Sequence, residues 1–387
     1  MTRSPQIRPR PPRSNARRSL GLSRHRVGLF ACMIGACGPR PSPPTSANRA
    51  DRLAIVAAER GPNGVRLVSI DEHGDRLFEI LQPASALARD TNPAISPDCQ
   101  WVVFASSRER SLDTMSLTRL WIARLAPEAV PVRITGDDAH DRTIDSHPAW
   151  TRDGRAIVFA STRAGDFDLY RQAIERGRPV GEPERLTTSA SHEVTPVVAH
   201  DGSIIYAETT LLPDQQVESH LEVRAPDGSI TRLTEGPADT SPALSPDEQT
   251  IAFARPMIHA AGADADLWTV PRAGGAAVQL VDVPLTDESG PVWSPDGRFV
   301  FATSALRGAS GKSVLFSSVI HVDLTEHPRV ARILEDRTGP IVRLTPALAC
   351  TPLDAVTLRS DPEYLPAIAR IVARAIAEQK AQTEPHP

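Results

Sequence analysis

One polar turn recurs along the chain at a nearly constant interval, and that recurrence restricts the possible folds more than any other feature. It stands in "PAISPDCQWVVFASSR" (93–108), "PAWTRDGRAIVFAST" (148–162), "PALSPDEQTIAFAR" (242–255) and "PVWSPDGRFVFATS" (291–304). The turn aspartates are Asp98, Asp153, Asp201, Asp247 and Asp296, separated by 55, 48, 46 and 49 residues. Each turn follows a short strand led by proline and precedes an apolar strand ending in Phe or Tyr. A third strand follows, as in "FDLYRQA" (167–173), "ADLWTVP" (265–271) or "TRLWIAR" (118–124). A fourth is short, as in "ERLTT" (184–188), "ITRLTE" (230–235) or "VRITG" (132–136). Apolar and polar residues alternate, which fits strands rather than helices. A period near 50 with four strands per unit predicts a propeller blade. The 36 prolines, spread along the chain, suit strands and turns better than helices.

Five units are complete, and the ends supply a sixth in two pieces. "ADRLAIVAAER" (50–60) and "GVRLVSID" (64–71) give second and third strands without a first. "DRTGPIVRLTP" (336–346) matches "DESGPVWSP" (287–295) and gives the missing inner strand, led by Pro340. The expected fold is all-β: a six-bladed propeller over 51–350, closed by this split blade so that no sheet edge is left open.

The residues carrying the pattern resemble the TolB-type propeller repeat, also known as the WD40-like or PD40 repeat. Its motif is nearly whole at 148–170 and 291–301, degraded at 92–122 and 241–268, and weak at 195–223. The resemblance covers about 300 of the 387 residues. It implies the propeller fold and, as function, a non-enzymatic scaffold for protein interaction. TolB itself has an α/β domain before its propeller, where this chain has only a tether. Propeller peptidases have a hydrolase domain after it, where about 37 residues remain here. Neither TolB's N-terminal partner binding nor peptidase chemistry is therefore expected.

The N-terminus reads as an address. Residues 1–37 hold eight arginines and no acid. Removing those eight charges from the net −4 leaves −12 on the rest, which argues against nonspecific nucleic-acid binding. "VGLFACMIGAC" (27–37) is too short to span a membrane and completes a secretory signal. Ile34-Gly35-Ala36-Cys37 resembles a lipobox, so Cys37 is the expected lipidation site, anchoring a monomer on the periplasmic side of the bacterial envelope. The alternative is cleavage near Ala36 and a soluble periplasmic protein. Residues 38–50, rich in Pro and Ser, read as a disordered tether. The expected partner is an envelope protein or peptide. Cys99 and Cys350 permit one disulfide. In 351–387, "SDPEYLPAIARIVARAIAEQK" (360–380) carries a capping box and an apolar stripe, which predicts an amphipathic helix over about 361–380. That helix either docks on the propeller or meets a partner or membrane.

Three residues before each strand-leading proline stands an acid: Asp90, Asp145, Glu193, Asp239 and Glu288, with Arg337 before Pro340. After the second strands stand Arg60, Arg108, Arg163, Arg255 and, displaced, Arg307, with Glu208 near this place in the third unit. Two readings follow. The arginines and acids form inter-blade ion pairs that fix register, or the acids ring the channel mouth and bind a basic peptide or a cation such as calcium. An enzyme or solute-binding protein using that acidic mouth is the alternative function. "GASGKS" (308–313) lacks the context of a phosphate loop, and no metalloprotease or nucleophile-elbow motif occurs. "GDDAHDRTIDSH" (136–147) reads as a solvated loop in preference to a metal site. No cofactor, metal site or catalytic residue is expected. Ser96, Ser245 and Ser294 of the repeated turn are expected to bond within it, with Gly154, Gly202 and Gly297 at a positive-φ position.

Overall fold

The first strand of each repeat cannot run straight. Asn92, His147, Thr195 and Ser241, each directly before a strand-leading proline, have φ of 49, 48, 53 and 55°, and Gly290 has 59°. The pairing of first and second strands shifts register at each of these points, so each is a β-bulge. The left-handed region is costly for residues with a Cβ, and most of all for β-branched Thr195. Five recurrences mean that the repeat demands the bulge. Upstream of it the first strand carries the repeated acid, and downstream the prolines line a cavity.

The computed structural model describes residues 54–61, 64–71, 76–81, 88–108, 117–136, 142–212, 217–259, 262–283, 286–307, 314–327, 329–334 and 347–348, all within one compact unit, Asn48–Pro387. Among them every regular element is a strand. β1 (Ala54–Gly61), β2 (Gly64–Asp71) and β3 (Arg76–Glu79) form the N-terminal sheet. The second sheet is β4 (Asp90–Ile95), β5 (Trp101–Ser106), β6 (Arg119–Arg124) and β7 (Val132–Arg133). The third is β8 (Asp145–Trp150), β9 (Ala156–Ser161), β10 (Asp168–Glu175) and β11 (Arg178–Arg185). The fourth is β12 (His192–Val198), β13 (Ile204–Leu211), β14 (Val217–Arg224) and β15 (Ile230–Arg232). An eight-stranded fifth sheet has two antiparallel halves. One is β16 (Thr240–Leu244), β17 (Thr250–His259), β18 (Gly262–Pro271) and β19 (Val278–Val281). The other is β20 (Thr286–Trp293), β21 (Phe299–Arg307), β22 (Val314–Asp323) and β23 (Ala331–Ile333). One parallel pair, Ala265 opposite Asp287, joins the halves.

The last strand, β24 (Ala347–Leu348), pairs antiparallel with β1. Ala347 faces Val56 and Leu348 faces Ile55, as Ala243 faces Ala252 and Leu244 faces Ile251 in the fifth sheet. By this register the sequence counterpart of Pro242 is Pro346, not Pro340, and the position three residues before it is Arg343, not Arg337. Gly339-Pro340 resembles Gly290-Pro291 in sequence, whereas strand pairing engages the later Ala347-Leu348. The signal, the tether and the expected C-terminal helix lie outside the described residues.

The apolar clusters lie between sheets or between the halves of the fifth. Val56 and Leu67 meet Phe104 and Trp121. Val103 and Leu120 meet Ile157 and Phe159. Val158 and Leu169 meet Tyr206, and Ile205 and Leu221 meet Ile251 and Phe253. Leu267 meets Val300 and Ile320, while Phe299 and Phe301 meet Ile55 and Val68. First strands adjoin in turn: β4 with β8, β8 with β12, β12 with β16, β16 with β20, and β24 with both β20 and β4. The repeated second-strand aromatics Phe104, Phe159, Phe253 and Phe301 are fully buried, and truncating one to Ala costs about 3–5 kcal/mol by the usual scale.

Candidate functional site

The repeated turn is built by its own side chains. Ser96 Oγ donates to Asp98 Oδ1 at 2.5 Å and accepts from the Trp101 N–H at 2.9 Å. Ser245 with Asp247, and Thr151 with Asp153, repeat the contact at 2.6 Å, and Ser294 donates to Asp296 in the same way. The aspartate oxygen also accepts the N–H two residues on, at Gln100, Arg155, Gln249 and Arg298. These hydroxyls are engaged in turn closure, as an Asx/ST turn requires. Gly154, Gly202 and Gly297 have φ of 68, 85 and 72°, and Cys99 and Glu248 fill the same position at 57°. Cys99 is a half-buried free thiol, and Cys350 lies outside the described residues.

The five repeated acids are buried. Asp90, Asp145, Asp239 and Glu288 are 0 % exposed and Glu193 is 1 % exposed. Three are gripped by arginine. Arg108 Nη2 lies 2.6 Å from Asp90 Oδ2, Arg163 Nη2 3.0 Å from Asp145 Oδ1, and Arg255 Nε 2.6 Å from Asp239 Oδ1. Ser106 and Ser161 add bonds of 2.6 Å to Asp90 and Asp145. Each pair lies within one sheet, joining the start of its first strand to its second strand or to the residues just after it. The expected inter-blade pairing is therefore not what these three form, because spacing alone does not show which sheet an arginine folds back on. Each guanidinium also stacks on aromatic rings of its own sheet. Arg163 lies 5.3 Å from the Phe159 centroid and 4.6 Å from Tyr170, Arg255 5.1 Å from Phe253 and 4.9 Å from Trp268, and Arg108 5.8 Å from Phe104. The side chains of Arg60 and Arg307 lie outside the described residues.

Two acids are held by hydroxyls instead. Glu193 accepts from Thr187 at 3.0 Å and from Ser189. Burial raises its pKa, and the nearby Asp168 and Glu208 carboxylates raise it further. Glu288 Oε1 accepts from Thr286 at 2.7 Å and Ser304 at 2.8 Å, while its Oε2 is buried with no hydrogen-bond partner. Burial first, and then Asp266 and Asp264, push Glu288 up to about 9, so it is neutral at pH 7. Burial also raises Asp90, against the pull of Arg108. In the 136–147 segment, Asp145 is tied to Arg163, and His147, lowered by burial to about 4, meets Ser146 Oγ at 3.0 Å. Residues 137–141 and 308–313 lie outside the described residues.

Contacts between sheets come from other residues. Trp150 Nε1 donates to Ala94 O at 3.1 Å, and Trp293 Nε1 to Ala243 O at 3.0 Å. The tryptophan of each Pro-x-Trp thus clasps the preceding first strand, one period back. At the turn end, Glu248 lies 3.4 Å from Arg152 and 3.1 Å from Arg272, and accepts the His200 N–H at 2.9 Å. Arg272 also meets Asp201. This network links the third, fourth and fifth sheets. Its signal in the sequence is Glu248 standing where three other turns carry glycine.

A cavity of about 480 Å³ runs along the first strands, from Pro93, Pro148, Pro196, Pro242 and Pro291 to the turn prolines Pro97, Pro246 and Pro295. Trp150, Trp293, Val197, Leu244 and Arg152 also line it. Its wall is drawn from five first strands and is mostly apolar, a surface suited to apolar or proline-rich side chains. Among the described residues no serine or cysteine is paired with a histidine and a carboxylate in this cavity.

The TolB beta propeller domain model, PD40, matches residues 91–296. The chain belongs to that family. An uncharacterized protein of Agrobacterium fabrum is 28% identical over 162 residues, which is 38% of this chain and 50% of that protein, so the match spans half the relative's length. The crystal structure of TolB from Acinetobacter baumannii superposes with a TM-score of 0.55 at 18% identity, covering 78% of this chain and 67% of that one. A TolB-type structure from Agrobacterium tumefaciens gives 0.51 at 19% identity, covering 75% and 91%. At such identities these structures show the shared fold.

Proposed function

We propose that this TolB-family propeller is an exported scaffold of the bacterial envelope, non-enzymatic, which holds a protein or peptide in the proline-lined cavity. The observation that carries the reading is the cavity wall. Five first strands contribute equivalent prolines and apolar residues, and two tryptophans fix the wall's spacing. A rigid apolar funnel of this kind binds side chains without having to order itself first. The ring is six-bladed and closed by the split N-terminal sheet. Pairing of β24 with β1 and the contacts of β24 with β4 and β20 support this. Cys37 carries the lipid anchor, on the periplasmic side, in keeping with the lipobox-like Ile34-Gly35-Ala36-Cys37. The buried, arginine-tied acids serve the sheets and leave partner binding to the cavity.

Photo-crosslinking in cells tests the binding role. A benzophenone side chain at Val197, in the cavity, should give a discrete adduct, and one at Val180, 48% exposed on β11, should not. Equal adducts at both positions, or none at Val197, would remove the scaffold reading. Metabolic labelling with palmitate tests the anchor separately: Cys37→Ser should abolish the label.

A further inference from the structure

In the fourth sheet the guanidinium of the repeat is replaced by a set of metal-ligating side chains. Strand register makes the comparison residue by residue. Where Phe159 faces Tyr170 and Phe253 faces Trp268, Tyr206 faces Glu222. Where Ser161 faces Asp168 and Arg255 faces Asp266, Glu208 faces His220. The first-strand acid, Glu193, stands opposite Glu208, as Asp145 stands opposite Ser161. In sequence, Thr210 occupies the place of Arg163. At these positions the third sheet thus carries a cation and two rings, while the fourth carries carboxylates, an imidazole and a phenol.

The donors converge. His220 Nδ1 lies 3.4 Å from Glu208 Oε2, and His220 Nε2 lies 3.2 Å from Glu222 Oε1. One ligand atom from each of Glu208, His220 and Glu222 falls within 4.8 Å of the others. Tyr206 donates to the second oxygen of Glu222 at 2.7 Å and so orients it, as an outer-shell partner does in a metal site. The three side chains are 16, 14 and 18 % exposed, open enough for an ion to enter from solvent. A histidine with carboxylates suits a divalent ion of borderline softness, with bonds of about 2.0–2.2 Å.

We propose that Glu208, His220 and Glu222 bind a divalent transition-metal ion, with zinc as the fitting probe, which joins β13 to β14. The test uses the full chain, stripped with a chelator, titrated with zinc chloride by calorimetry and followed by thermal melting. One equivalent should bind and raise the melting temperature. His220→Gln and Glu222→Gln should each weaken binding at least about 10-fold, and His192→Gln, on β12, should not. Should His220→Gln fail to fold, the double variant Glu208→Gln/Glu222→Gln gives the same readout with side-chain volume kept. Zinc binding that survives that double variant overturns the site. So does the lack of one-equivalent binding.

Discussion

Replacing Glu288 by Gln should make the protein more stable at neutral pH than it is now, and the gain should grow with pH. The carboxyl is 0 % exposed, lies beside Asp264 and Asp266, and has an Oε2 that meets no donor. Its pKa rises from 4.5 to about 9 on folding, so between those values the folded chain keeps a proton that the unfolded chain has released. Stability contributed by the neutral carboxyl is complete below the lower value and is lost as pH rises through the upper one. Within the window one proton changes the unfolding free energy by about 1.4 kcal/mol per pH unit. Gln keeps the acceptor toward Thr286 and Ser304, carries no proton to lose, and matches the shape. The stability difference between Glu288→Gln and the parent should therefore grow by about 2.7 kcal/mol between pH 5.5 and 7.5. Urea unfolding of both proteins across that range, with m-values compared at each pH, measures it. Parallel pH profiles for the two proteins would refute the reasoning, because they would mean that Glu288 is ionised and paired in the folded state.

Other substitutions probe the repeat. Arg108→Met strands the buried Asp90 carboxylate and should cost about 3–5 kcal/mol, and the double change with Asp90→Leu should recover part of the loss in a denaturation cycle. Thr195→Gly removes a β-branched residue from φ 53° together with a buried hydroxyl that has no partner. It should stabilise by about 1 kcal/mol in urea unfolding, and destabilisation would show that the bulge is not strained. Trp150→Phe and Trp293→Phe each break one clasp, at about 1 kcal/mol apiece. Their effects should add in the double variant, since the clasps join different strand pairs.

The family was legible because the repeat writes it many times. Turn aspartates near every fiftieth residue, with proline before and phenylalanine after, specify short antiparallel strands without reference to distant contacts. The turn chemistry was legible for the same reason: Ser96 and Asp98 are two residues apart and bond to each other. The acids were found by their spacing, but their surroundings were not. Asp90 and Arg108 are 18 residues apart, and only the folding back of β5 on β4 shows that they share a sheet. The cavity drew on no local signal beyond the prolines, because its wall is assembled from strands some 50 residues apart.

The sequence by itself determined what repeats: strand period, turn geometry and the family they define. The tertiary structure decided where the repeat departs from itself. Two backbone pairs, Ala347 with Val56 and Leu348 with Ile55, set the register of the last strand. Glu208, His220 and Glu222 look like scattered polar residues along the chain. They become one donor set because cross-strand neighbours sit about 5 Å apart whatever their sequence separation. Local pattern is a property of the chain, whereas chemistry between strands exists only once the register is fixed.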